Sequence, residues 1–407
     1  MTDNRYRRLP VGIQSFKVIR EENYLYVDKS DIVWNMVNLG DKYNYLSRPR
    51  RFGKSVLVDT LESYLEGRKD LFEGLKIMQM EKDWKHYPVI RLDMSRGGAN
   101  EETLRSYLNL RFKDYEEKYN ITPDPTAMLA DRFHAIIVTA YKQTGLRVAV
   151  LIDEYDSPLQ HSWRTPEHEK CTGVYREVFA ILKADDEYEH FVFITGITKF
   201  TQISLFSVLN NLSNISFTPE YAAICGITEE EIEENFMPEI RQMSEANNWS
   251  IQETHDRLKA YYDGYHFSDD NMVDIYNPYS LVNALKQRKI KNFWASSGAT
   301  SLLPKFVDNA ELRLSKFENC SIMRNTLELS DVSGGGAELF LYQSGYLTIK
   351  ESDEFGYILG FPNEEVKQAL YETVLPALAM RSENEIQSLQ ACLYRYLGTG
   401  QIDEAMK

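Results

Sequence analysis

The chain has 407 residues and a mass of 47.3 kDa, enough for about two or three compact units. Hydrophobic residues at 43% and charged residues at 26% are the proportions of a globular protein, and they exclude a disordered, collagen-like or membrane-embedded chain. Lys and Arg number 46 against 61 Asp and Glu, a formal charge of −15, so any polyanion has to be met by a local basic cluster.

The basic start, Met1-Thr-Asp-Asn-Arg-Tyr-Arg-Arg8, is followed by no apolar stretch of the kind a signal peptide needs. No apolar run approaches the roughly 20 residues that cross a bilayer, so no membrane partner is expected. Short apolar runs at 43–47, 89–93, 148–152 and 191–195 read as strands. Longer amphipathic stretches at 56–65, 101–119, 127–144 and 167–183 read as helices between them. That alternation predicts an α/β domain with a buried parallel sheet. After Gly226 the texture turns helical to about residue 289, opening on the capping box Thr228-Glu-Glu-Glu231. A helix at 337–347 then leads into strands at 347–350 and 356–359 joined by the acidic turn 351–355, a winged-helix-like pattern. The last stretch, 383–407, is helical in pattern. Cys171, Cys225, Cys320 and Cys392 lie far apart with no CxxC. Neither a disulfide framework nor a zinc site is expected, and a reducing cytoplasm is the expected setting.

Chemistry concentrates first at Leu46-Ser-Arg-Pro-Arg-Arg-Phe-Gly-Lys-Ser55. Gly53-Lys54-Ser55 ends a P-loop pattern, G-x-x-x-x-G-K-[ST]. A strand feeds a turn whose amides face inward, and the following helix adds its N-terminal amides and positive dipole end. Gly53 lets the backbone approach phosphate, Lys54 can span β- and γ-phosphates, and the Ser55 hydroxyl can ligate Mg²⁺. Arg48 stands where the pattern asks for its first glycine. Arg48, Arg50, Arg51 and Lys54 place four cations within seven residues, and a triphosphate in their midst is the expected counter-ion. The whole stretch Arg48, Pro49, Arg50, Arg51, Phe52, Gly53, Lys54 and Ser55 is the candidate nucleotide-binding segment.

The second site is Val148-Ala-Val-Leu-Ile-Asp-Glu154, an apolar strand ending in two acids. Asp153 is expected to hold Mg²⁺ with Ser55, and Glu154 to act as general base on the attacking water. Asp156 adds a third carboxylate that either tunes the metal site or caps the loop. The third site is Phe191-Val-Phe-Ile-Thr-Gly-Ile-Thr-Lys199. A polar group at the tip of a strand between the P-loop and acid-bearing strands would touch the γ-phosphate or lytic water, which makes Thr195 and Thr198 catalytic candidates beside Lys54 and Glu154, with Lys199 as a third. The aromatic run 261–267 reads as a packed helix terminus. No GxSxG or HExxH motif appears.

Six blocks in order, namely 9–16, 26–30, 48–55, 87–94, 151–156 and 195–200, resemble the AAA-ATPase-like proteins of gut bacteria, and Tyr262-Asp-Gly-Tyr-His-Phe267 and Tyr276-Asn-Pro-Tyr279 fit as well. Arg48 matches that family's own loop. The resemblance implies a P-loop NTPase three-layer αβα core, a helical lid and a winged-helix-like extension, with ATP as the nucleotide. It also implies a PD-(D/E)xK nuclease-superfamily domain after Lys407, whose constellation is not found within the chain. The expected organisation is an ATPase core over 1–226, a lid over 227–300, a winged-helix-like region over 301–385 and a helical segment over 386–407. The expected function is Mg-dependent ATP binding with slow hydrolysis that moves the C-terminal part. Two alternatives stay open: a switch that binds nucleotide without turnover, and a nucleic-acid-binding winged helix, against which the acidic turn 351–355 speaks. A nucleic acid or protein partner would meet the C-terminal region.

Overall fold

A computed structural model describes residues 8–124, 126–199, 211–295, 317–329 and 336–378. Within them, β1 (Tyr43–Ser47), β2 (Val89–Asp93), β3 (Val148–Asp153), β4 (Glu189–Gly196) and β5 (Ser213–Asn214) form one sheet in the order β2-β3-β4-β1-β5. Every neighbouring pair is parallel. All six residues of β3 are buried, as the near-continuous apolar run requires of a strand covered on both faces. Helices Lys54–Leu65, Glu101–Lys118, Leu129–Thr144 and Glu167–Ala184 supply the covering layers of this α/β core.

Register sets the sheet's working edge. Ser47 pairs with Gly196, Ile152 with Ile194 and Asp93 with Asp153, so the carboxyl ends of four strands finish level. Ligands of open α/β sheets gather at that edge. β4 lies between β1 and β3, the position expected for the strand carrying Thr195.

Four helices follow the core: Glu229–Asn235, Met237–Asn247, Ile251–Tyr262 and Pro278–Gln287. The capping box is formed, with Glu231 N–H donating to the Thr228 hydroxyl and Thr228 N–H to the Glu231 carboxylate. This lid has its own apolar cluster around Phe236, Ile240, Leu258 and Leu281. Beyond it a second sheet, β6 (Cys320–Met323), β7 (Thr348–Ser352) and β8 (Gly356–Gly360), runs antiparallel in the order β6-β8-β7. The helices Arg324–Leu329 and Gly336–Ser344 stand between β6 and β7, the helix-then-hairpin order expected of a winged-helix-like unit. β6 itself is absent from the sequence reading, because four residues alternating buried and exposed give too short a period to notice. The expected helical segment 386–407 lies outside the described residues.

The winged-helix-like unit does not hang free. Leu339, Phe340, Leu341, Tyr346 and Ile349 belong to the same buried apolar cluster as the core sheet. The helix Gly336–Ser344 is therefore buried in one apolar cluster with the core sheet.

Candidate functional site

The helix Lys54–Leu65 starts on Gly53, whose φ of 88° is left-handed, with no side-chain cap on its first amides. A glycine is needed for that torsion, and the uncapped first turn is the anion-binding end of the helix. Lys54 is buried, and its Nζ donates to the carbonyls of Arg48 at 2.8 Å and Pro49 at 3.0 Å. Burial pulls its pKa down, opposed by the nearby carboxylates of Glu154, Asp153 and Asp156. Ser55 and Asp153 line one polar space; burial pushes the Asp153 carboxyl up, and Ser55 and Lys54 pull it back. The P-loop and the acids at 153–154 thus meet at one edge of one sheet.

Glu154 leaves β3 with φ 47°, a left-handed torsion that a non-glycine residue holds only under constraint. The constraint is visible: Tyr155 N–H donates to Thr195 O at 3.0 Å and Ser157 N–H to Glu154 O at 3.0 Å. Burial also raises the Glu154 pKa, with Lys54 opposing.

A cavity of about 430 Å³ opens over this edge, within the usual size range for small-molecule sites. Its lining includes Arg50, Arg51, Gly53, Lys54, Ser55 and Glu154 together with the apolar Val11, Ile13, Leu25, Ile227, Phe236 and Val282. Arg51 lies 4.8 Å from the ring of Tyr279 on the lid. Lys29 forms an ion pair with Glu231 of the capping box, which ties the N-terminal wall to the lid. Sequence reasoning missed this wall. Its signal lay in the blocks 9–16 and 26–30, which carried resemblance but no legible chemistry.

Arg48 departs from expectation. Its guanidinium does not line the cavity; it is 1% exposed and donates to the carbonyls of Ser47, Ser216 and Tyr221 at 2.8–2.9 Å. The ring of Phe267 lies 4.1 Å from it. With Nη1 and Nη2 held by backbone carbonyls it is a structural cation, and the four-cation cradle reduces to Arg50, Arg51 and Lys54. Pro49 is also outside the cavity, packed where a Cβ on Gly345 would come within 2.5 Å of it. Phe52 lines the cavity, and its ring packs against Tyr265 and Phe267, so the aromatic run 261–267 clamps the P-loop.

Thr195 and Thr198 are corrected in the same way. Thr195 is fully buried and donates to Leu46 O at 2.8 Å, fastening β4 to β1. Thr198 donates to Asp156, whose Oδ2 also accepts the Ile197 and Thr198 amides. Asp156 is therefore the loop cap of the two roles open to it. The hydroxyls at the strand tip are consumed by protein and do not face the cavity. Lys199 Nζ donates to Glu328 O at 2.9 Å and its amide to Gln343 Oε1 at 3.2 Å, joining the tip of β4 to the winged-helix-like unit.

Residues 10–206 match the model of a family described as predicted AAA-ATPase. An uncharacterized protein encoded in the vnfD 5′ region of Azotobacter chroococcum mcd 1 is 32% identical over 398 residues, covering 94% of this chain and 74% of that protein. The chain belongs to the AAA-ATPase-like family. Among solved structures, the Aeropyrum pernix ORC2 protein aligns over 93% of this chain and 97% of its own at 14% identity, TM-score 0.29. Cdc6p from Pyrobaculum aerophilum aligns over 86% and 92% at 11% identity, TM-score 0.24. At such scores the fold rests on strand order and register alone. No helix among the described residues is long and apolar enough to cross a membrane.

Proposed function

We propose that this AAA-ATPase-like chain binds Mg-ATP in the 430 Å³ cavity and hydrolyses it. The observation that carries the reading is that Ser55, Asp153 and Glu154 line one polar space and that Ser55 and Glu154 share the adjoining cavity with Lys54. Ser55 and Asp153 fit Mg²⁺: a hydroxyl and a carboxylate, hard oxygen donors that the ion takes singly while keeping waters. When bound, the ion neutralises charge on the β- and γ-phosphates. The amides from Gly53 onward and Lys54 cradle phosphate, exchanging the carbonyls of Arg48 and Pro49 for phosphate oxygens. The apolar part of the lining suits a planar base. Glu154 accepts the proton of the attacking water, and Lys54 beside it favours its ionised form.

The reading extends to coupling. The P-loop touches the winged-helix-like unit at Pro49–Gly345, and the tip of β4 touches it through Lys199. A shift of the loop on phosphate binding reaches the helix Gly336–Ser344 directly, and two discrete packings of that helix would make it a nucleotide-state reporter. Burial of this helix, with no cation in its sequence, also disfavours nucleic-acid reading by the same unit.

Thermal unfolding with and without Mg-ATP tests the binding step. Wild type is expected to gain about 2.7 kcal/mol at a ligand concentration 100 times Kd, and Lys54→Ala to gain less than about a third of that. Amide exchange across 337–344 is expected to change with Mg-ATP in wild type and not in Lys54→Ala. An equal ligand shift in both proteins would defeat the site, and unchanged exchange with normal binding would defeat the coupling.

A further inference from the structure

We propose that Asp93, on the strand beside the acid-bearing one, is a positioning residue that holds the water shell of the nucleotide-bound magnesium ion. The inference rests on the Mg-ATP reading above and adds a residue to it from outside both motifs. Asp93 ends β2 directly in register with Asp153. In parallel neighbouring strands such partners project to the same side of the sheet, roughly 4.8 Å apart at the backbone.

Asp93 and Asp153 share a second cavity, of about 180 Å³, whose lining includes Ser55, Asp59, Arg91 and Glu154. Ser55 and Glu154 line the nucleotide cavity too, so the two spaces adjoin at the candidate metal and base. The second one is polar and roomy enough for several waters. That is the scale of a magnesium ion's hydration sphere, which the ion surrenders reluctantly.

The charges around this chamber do not balance locally. Arg91 is committed to Asp59 at 2.7 Å and Glu62 at 2.6 Å, and Asp59 also accepts from the Ser15 hydroxyl at 3.0 Å. Lys54 offsets part of the charge on Asp153 and Glu154. Asp93, Asp153 and Glu154 are three carboxylates against that one cation at the junction, with Asp93 adding repulsion at both of the others. A divalent cation and its waters relieve this. Ser55 and Asp153 are the proposed direct ligands, and Asp93, on the strand beyond that of Asp153 from the P-loop strand, is the outer partner acting through water.

The competing role is local: Asp93 Oδ1 accepts from the Ser95 amide at 3.1 Å and the Ser95 hydroxyl at 2.6 Å, capping the turn Met94–Arg96. Asp93→Asn separates the two, because an asparagine oxygen caps as well as an aspartate while the charge is lost. Binding of a fluorescent ATP analogue is titrated against Mg²⁺ in the full chain and repeated in EDTA. The expected result is a tenfold or greater rise in the Mg²⁺ concentration for half-maximal binding, as for other outer-shell partners. Affinity in EDTA stays within about twofold of wild type, and the melting temperature without ligand does not fall. Asp93→Glu, which keeps the charge, is expected to stay within about threefold of wild type and serves if Asp93→Asn does not fold. An unchanged Mg²⁺ requirement in Asp93→Asn, or an equal loss in Mg²⁺ and EDTA, overturns the assignment and leaves the turn cap. Wild-type binding that is indifferent to Mg²⁺ overturns the underlying reading as well, and is seen before any variant is made.

Discussion

Glu154→Gln is expected to slow phosphate release from ATP by about 10² to 10⁴-fold, the usual contribution of a positioned general base, while Mg-ATP binding persists. Glu154 lines both the nucleotide cavity and the polar chamber, so a water between them lies within its reach. Glutamine keeps the size and the hydrogen-bonding oxygen but cannot take a proton. It also removes a negative charge near the phosphates, so ATP affinity is expected to hold or rise a few-fold. The pH dependence carries a sign. Burial raises the Glu154 pKa, so the base is lost to protonation at a pH above the ordinary carboxylate range. The wild-type rate should fall on the acid side from that point, and the residual Glu154→Gln rate should not. Steady-state phosphate release across pH measures both. Equal rates in the two proteins would remove Glu154 from the chemistry. Wild-type release no faster than buffer, with tight binding, would establish the non-hydrolysing switch.

The sheet was legible because its strands are buried on both faces, which forces near-continuous apolar runs. The expected 43–47 and 89–93 coincide with Tyr43–Ser47 and Val89–Asp93, and 148–152 and 191–195 fall inside Val148–Asp153 and Glu189–Gly196. The P-loop helix was expected at 56 and begins at Lys54, since the left-handed Gly53 lets it start at once. β5 is two residues long and β6 four, too short to show a period. Side-chain destinations were the least legible. Thr195 and Thr198 sit where a γ-phosphate sensor would, but Leu46 O and Asp156 claim their hydroxyls. A motif places a residue near a ligand without saying which neighbour it bonds. Asp93 was passed over for the opposite reason: its neighbour in space, Asp153, is 60 positions away in the chain, and only strand pairing brings the two together.

Arg48→Ala is expected to cost on the order of 3–5 kcal/mol of stability, because three backbone carbonyls lose their buried donor together. The guanidinium serves the carbonyls of Ser47, Ser216 and Tyr221 together, and each buried acceptor left unpaired costs about 1–3 kcal/mol. Burial lowers the Arg48 pKa to about 10, so it remains a cation at neutral pH, and the face of Phe267 lies 4.1 Å away in cation–π range. Its contacts join the P-loop to the segment 216–221 and to the aromatic run of the lid, which is why an arginine can stand where the general loop pattern has glycine. Lysine keeps the charge but not the planar fork, so Arg48→Lys is expected to recover part of the loss and no more. Chemical unfolding of the three proteins measures this, and nucleotide affinity below their melting points supplies the contrast. Arg50→Ala, at the cavity wall, should weaken nucleotide binding with little change in stability; Arg48→Ala should do the reverse. If Arg48→Ala unfolds like wild type and loses nucleotide instead, the guanidinium leaves its three carbonyls for phosphate, and the four-cation cradle suggested by residue spacing is the better description of the loop.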